Sequence, residues 1–190
     1  MNIIIFGGYV NGYSIARTIY ETYGIKSHIF DYVKRFSSRS KIVSYHMTSN
    51  PTKETTKFLD EMRRFAETMK DKENIIFVTN DEWLIPLAKH RSDLEKYFTY
   101  TFSNWEVIEQ LTIKKNLYQL CGTLEIPYPR TKVIDEYNIG MIDELQCPLL
   151  VKPSSVVNYM AITKEKRNNV FSNHAEAKNF LKKSFENYKD

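Results

Sequence analysis

Five short apolar runs, at residues 2–6, 26–31, 42–46, 75–78 and 97–102, alternate along the first half of the chain with stretches whose apolar residues recur every three or four positions. Strand and helix in alternation leave few architectures open. Parallel strands need a long crossover between them and a helix supplies it, so the pattern predicts an α/β unit with a mostly parallel sheet and helices on both faces. The run Ile75-Ile76-Phe77-Val78 is apolar throughout, as expected of a strand covered on both sides.

The joints between these elements hold the first candidate residues. Gly7-Gly8-Tyr9-Val10-Asn11-Gly12 is predicted to turn the first strand into a helix that buries Ile15, Ala16, Ile19, Tyr20 and Tyr23 and stops at Gly24. Ligands of such sheets bind beyond the carboxyl ends of the strands. The glycines do not form G-x-G-x-x-G, which disfavours a nicotinamide oxidoreductase, and a plain tight turn explains them equally well. Residues 34–40 read as a polar loop. Asn50 and Pro51 read as the N-cap and first residue of a helix with a core stripe of Phe58, Leu59, Met62, Phe65, Ala66 and Met69. Two readings stand for Thr79-Asn80-Asp81-Glu82-Trp83 after the fourth strand: a helix cap with dipole-favouring acids, or the lining of a ligand crevice. Pro86 predicts a late start or a kink in that helix. Ser103-Asn104-Trp105-Glu106 has the form of a capping box for a helix at 105–111, where the alternation ends.

Two lysines organise the second half of the chain. Leu117, Leu120, Cys121 and Leu124 recur at helical spacing, so a helix is predicted with one buried face and Lys114 exposed in its first turn. A cation there opposes the helix dipole unless an anion offsets it. Residues 148–151 read as a buried strand that delivers Lys152 at its end, and Pro153 stops it. Two cations brought together by rigid elements suit a polyphosphate, although a lone lysine is ordinarily just a solvated surface group. Further strands are expected at 131–134, 159–163 and 169–171. A last helix, capped by Asn173 to Glu176, turns Ala177, Phe180, Leu181 and Phe185 inward.

Composition excludes several classes. The 190 residues carry 27 basic and 23 acidic side chains spread along the chain, so no nucleic-acid footprint stands out. No apolar run reaches the ~18 residues of a membrane helix, and the first strand leads straight into glycines, unlike a signal peptide, so a cytoplasmic protein without membrane contact is expected. Cys121 and Cys147 read as small buried hydrophobes, and His28, His46, His90 and His174 lack ligand spacing.

With these residues in place, the chain resembles the ATP-grasp ligases. Lys114 opens a helix; Pro127 follows at the family's spacing of thirteen residues within Glu125-Ile126-Pro127-Tyr128-Pro129; Pro148-Leu149-Leu150-Val151-Lys152-Pro153 matches the family's strand. Asn11-Gly12-Tyr13-Ser14-Ile15-Ala16-Arg17 and Tyr23-Gly24-Ile25-Lys26-Ser27 resemble the opening of the carboxylate-amine ligase branch, which includes D-aspartate ligases. Three positions depart from the pattern: Glu125 stands for Gly, Ile113 for the usual Asp, and the segment after Lys152 lacks the family's glycines.

The resemblance implies a Rossmann-like pre-ATP-grasp domain at 1–111 and the first lobe of an ATP-grasp domain at 112–190. It assigns Lys114 and Lys152 to the ATP phosphates, Ser154 with them to cofactor binding, and Gly8, Asn11, Asn80, Asp81 and Glu82 to a small-molecule carboxylate or amino acid. ATP and Mg are the implied cofactors, with the Mg ligands expected outside this chain; no catalytic residue is assigned. The implied function is the amino-terminal fragment of an ATP-dependent ligase using an acyl phosphate, inactive alone and dimerising through its second lobe. The alternative is a non-catalytic small-molecule or nucleotide binding module that pairs with a separate chain.

Overall fold

A computed structural model describes residues 1–187; the last three residues of the predicted 112–190 domain lie outside the described residues. The chain divides into two compact units, Met1–Ile108 and Glu109–Asp190. The first contains β1 (Asn2–Phe6), α1 (Val10–Tyr23), β2 (Ser27–Asp31), a 3-10 turn (Phe36–Arg39), β3 (Val43–Met47), α2 (Thr55–Thr68), β4 (Asn74–Val78), α3 (Asp81–Lys89), α4 (Arg91–Leu94) and β5 (Thr99–Tyr100). A further helix, α5 (Trp105–Thr112), crosses the division. The strands form one parallel sheet in the order β3-β2-β1-β4-β5.

Alternate residues of β1 explain how the sheet is covered. Ile4 and Phe6 join Phe30 and Ile76 against Phe58, Leu59 and Met62 of α2 and Trp83 and Leu87 of α3. Ile3 and Ile5 join Ile29 against Ile15, Ala16 and Ile19 of α1. Side chains point to opposite faces at successive strand positions, so α1 lies on one face and α2 and α3 on the other, as the alternation predicts.

Four joints differ from expectation. α1 begins at Val10, so Asn11 and Gly12 belong to the helix; a Cβ at Gly12 would lie 1.9 Å from the Gly7 carbonyl oxygen, which is why glycine is needed inside it. α2 begins at Thr55 because Asn50 caps a turn instead, its Oδ1 accepting the N–H groups of Thr52 and Lys53. α3 has no late start: Asn80 Oδ1 accepts the Trp83 N–H at 3.3 Å and fixes the first turn ahead of Pro86. Asn104, not Ser103, caps α5 by accepting the Val107 N–H.

The second unit contains α6 (Lys114–Thr123), a 3-10 segment (Ile139–Glu144), β6 (Leu149–Val151), α7 (Val156–Ile162), β7 (Asn169–Phe171) and α8 (His174–Asn187). β6 and β7 pair antiparallel, and Leu149 packs with Ile142 and with Ala177 and Leu181 of α8. Glu176 N–H bonds Asn173 Oδ1, so the predicted cap of α8 is present.

This unit departs further from expectation than the first. No strand forms at 131–134, which belong to no helix or strand. Residues 159–163 lie largely in α7, because Ser155 Oγ accepts the Asn158 N–H and caps a helix there. The segment after Lys152 is therefore not an open loop. β6 is covered on one face only: Leu149 is buried while Leu150 is 53% exposed. No residue of α6 is fully buried, so its apolar stripe is half-sheltered where a buried face was predicted.

The turn after α6 explains the Glu for Gly departure. Ile126 N–H bonds the Cys121 carbonyl at 2.8 Å and Glu125 N–H the Gly122 carbonyl at 3.4 Å, while Glu125 has φ 55°. That is the helix stop in which a left-handed residue, usually glycine, follows the cap.

Candidate functional site

In the first unit, β1 and β4 are neighbours and their carboxyl ends lie together. Thr79 Oγ donates to the Phe6 carbonyl at 2.9 Å, and Gly7, at φ 97°, has no room for a Cβ, which would stand 2.0 Å from Thr79 Oγ. Chain connections diverge between these two strands, which makes this the switch point where ligands of parallel sheets bind.

The predicted residues at this edge have unequal freedom. Gly8 is buried; its N–H donates to Asp31 Oδ2 at 2.8 Å and its carbonyl accepts from Ser37 Oγ at 2.5 Å. Asn11 is exposed in the first turn of α1. Asn80 is occupied as the cap of α3. Glu82 accepts the Tyr32 hydroxyl at 2.7 and 2.9 Å and the Asn50 amide at 3.4 Å. Burial, and then that hydrogen bond to Glu82, pushes the Tyr32 hydroxyl up to about 12. Asp81 is half-buried and has no hydrogen-bond partner among the described residues.

Sequence reasoning missed Asp31, Tyr32 and Arg35. Asp31 is 3% exposed and also accepts the Val33 N–H at 2.9 Å and Arg35 Nε at 3.3 Å. The available signal was a carboxylate closing an apolar strand, where charge needs a partner.

In the second unit a cavity of about 480 Å³ is lined by Lys114, Lys152 and Ser154 together. Lys115, Arg130 and Lys132 join them, and none of the described residues lining it is acidic; Leu149, Ile142 and Leu181 belong to its apolar wall. Lys132 is partly neutralised by Glu144 at 2.5 Å. The first two amides of α6 are not offered to a ligand. Lys114 N–H donates to the Ser154 carbonyl at 3.0 Å and Lys115 N–H to Ser154 Oγ at 3.3 Å. An anion in this cavity therefore meets lysine and arginine side chains first. Lys115 and Arg130 were legible as neighbours of Lys114 and Pro129, but spacing alone gave no reason to single them out.

No family model matches the chain. It is 25% identical over 177 residues to a D-aspartate ligase of Enterococcus faecium (strain Aus0004), an overlap of 88% of this chain and 42% of that protein. An L-amino acid ligase structure from Bacillus licheniformis superposes with TM-score 0.68 at 13% identity, covering 96% of this chain and 42% of the other. The biotin carboxylase domain dimer of Hydrogenobacter thermophilus 2-oxoglutarate carboxylase, in complex with MgADP, ADP and bicarbonate, gives TM-score 0.62 at 17% identity, covering 98% and 40%. The fold is that of the amino-terminal portion of ATP-grasp ligases.

The chain spans about two fifths of the length of the relatives it matches. Among the described residues no group of three or more His, Cys, Asp or Glu side chains is placed to hold a metal ion. None of their helices is long and apolar enough to cross a membrane.

Proposed function

We propose that the chain supplies the phosphate-binding lobe and part of the substrate crevice of an ATP-dependent carboxylate-amine ligase. The first unit acts as the pre-ATP-grasp domain and the second as the first ATP-grasp lobe. One observation carries the reading: Lys114, Lys152 and Ser154, not all neighbours in sequence, line one cationic cavity with no acid among the described residues of its wall. A polyphosphate needs such a cradle, since phosphoryl transfer depends on positioning and on offsetting charge.

Lys114 and Lys152 hold the phosphates. Asp81 and Asn11, at the carboxyl edge of the first unit, face the small carboxylate or amino acid. Bound Mg would offset charge on the transferring phosphoryl group, and its ligands belong to the part of such ligases that this chain does not span. The described residues alone therefore catalyse no ligation. The reading places the reaction in the cytoplasm, where ATP is available. It also includes a homodimer through the outward face of the two-stranded sheet, where Leu150 and Val170 are cross-strand partners and 53% and 68% exposed.

Thermal shift with Mg-ATP, ADP and tripolyphosphate tests the phosphate site. Lys114→Met and Lys152→Met should each abolish the shift and move the unliganded melting temperature by no more than about 2 °C, as surface changes do. A shift that survives both replacements rejects the assignment. Metal-dependent phosphate release by the 190-residue chain, lost in Lys152→Met, would reject the claim that it is inactive alone.

A further inference from the structure

We propose that Ser154 is a positioning residue: it locks the start of α6 to the end of β6 and so sets the separation of Lys114 and Lys152. The inference rests on the polyphosphate reading of the cavity.

Helix starts leave several N–H groups without partners, and a side-chain oxygen from the residue before the helix usually accepts one of them. The residue before α6 is Ile113, which has no such oxygen. Ser154, 39 positions beyond Lys115, takes over: its hydroxyl accepts the Lys115 N–H at 3.3 Å and its carbonyl the Lys114 N–H at 3.0 Å. The backbone of the first lysine is thus fastened to a residue two positions beyond the second.

That fastening point is held on its other sides as well. Val151 pairs with Asn169 in the ladder, Pro153 restricts the backbone between them, and Ser155 caps α7. The segment from Val151 to Ser155 therefore cannot follow α6 if α6 swings. With Ser154 in place the two ammonium groups are carried on one rigid body, which limits the ordering a polyphosphate must impose when it binds. The Ser154 oxygen accepts as a cap, and the first two amides of α6 are committed to Ser154 in place of a ligand.

The test uses the full 190-residue chain with Ser154→Ala, Ser154→Gly and Ser154→Thr. Backbone hydrogen exchange is followed at residues 114–117, and tripolyphosphate binding by calorimetry. Loss of the hydroxyl should speed exchange of the Lys115 amide about three- to tenfold, as removal of a helix cap does, and weaken tripolyphosphate by a similar factor. Threonine should restore both. Combining Ser154→Ala with Lys152→Met should weaken binding little beyond Lys152→Met alone, because the serine acts through the lysines. Weaker binding with unchanged exchange would make Ser154 a direct ligand and overturn the proposal; unchanged exchange in both Ala and Gly variants would overturn it as well. If the unmodified chain fails to bind tripolyphosphate, the phosphate reading falls, while the exchange comparison still decides whether the lock exists.

Discussion

Asp31 Oδ2 accepts the amide hydrogen of Gly8 at 2.8 Å, so the anion seat at the first strand-to-helix turn is filled by the protein's own carboxylate. The same carboxylate ties down Val33 and Arg35. A nucleotide phosphate placed there would meet a buried negative charge.

Asp31→Asn is expected to lower stability by about 1–3 kcal/mol, and Asp31→Ala by more, because the variants leave buried N–H groups or the Arg35 guanidinium without their acceptor. Urea unfolding of the two variants checks the order. Equal stability of Asp31→Ala and the parent chain would mean that the network is ornamental.

Glu125→Gly should stabilise the chain by ~0.5–1 kcal/mol. A non-glycine residue in the left-handed region is strained by about 1–2 kcal/mol, and part of that gain is lost to glycine's greater freedom in the unfolded chain. The denaturant midpoint should rise; a fall would show that the Glu125 side chain makes a contribution larger than its backbone strain.

Gly12→Ala is expected to destabilise by ~3 kcal/mol or more, since its Cβ would sit 1.9 Å from a backbone oxygen that cannot move away cheaply. Gly140→Ala is the matched control. Nothing lies within 4 Å of a Cβ built there, and its melting temperature should stay close to the parent value.

His28 Nδ1 and His46 Nε2 lie 3.0 Å apart, with both rings packed against Phe65. One ring must donate and the other accept, so two imidazolium ions do not fit. Burial lowers the pKa of each, with the neighbouring His28 a second cause for His46. A folded-state pKa below the unfolded value of about 6.5 means that the unfolded chain binds protons more readily, so stability is full above that value and falls as pH drops below it. Unfolding free energy should decline between pH 7 and 5, and His46→Phe should flatten that slope while keeping the ring stack. Glu61 acts in the same direction: burial alone would raise its pKa, but hydrogen bonds from Thr48 and Ser49 outweigh it and hold it below the usual carboxylate range, so its contribution is lost as pH falls through that lowered value.

The first unit was largely legible because its elements are specified locally. Ile75 to Val78 and the stripe from Phe58 to Ala66 announce their structure within a few residues, and a parallel sheet with helices on both faces follows from their alternation. The second unit was less so. Residues 159–163 alternate well enough to pass for a strand, yet a single cap by Ser155 makes them helix, and β6 looks buried in sequence while only Leu149 is covered. Lys114 and Lys152 were singled out through spacing and resemblance, and they line one cavity. Asp31 was not, because its importance lies in an amide 23 positions away that no local pattern displays.

The long-range cap on α6 also bears on how the chain is made. Residues 114–123 encode the helix, but the acceptors for its first two amides emerge only with Ser154, some thirty residues later. At about 5–20 residues per second a ribosome needs roughly 2–6 s to cover that interval. During it the helix start stays frayed and the spacing between the lysines is undefined. The cation pair therefore comes into being in one late step of synthesis, which protease protection of ribosome-stalled chains ending before and well after Ser154 would reveal.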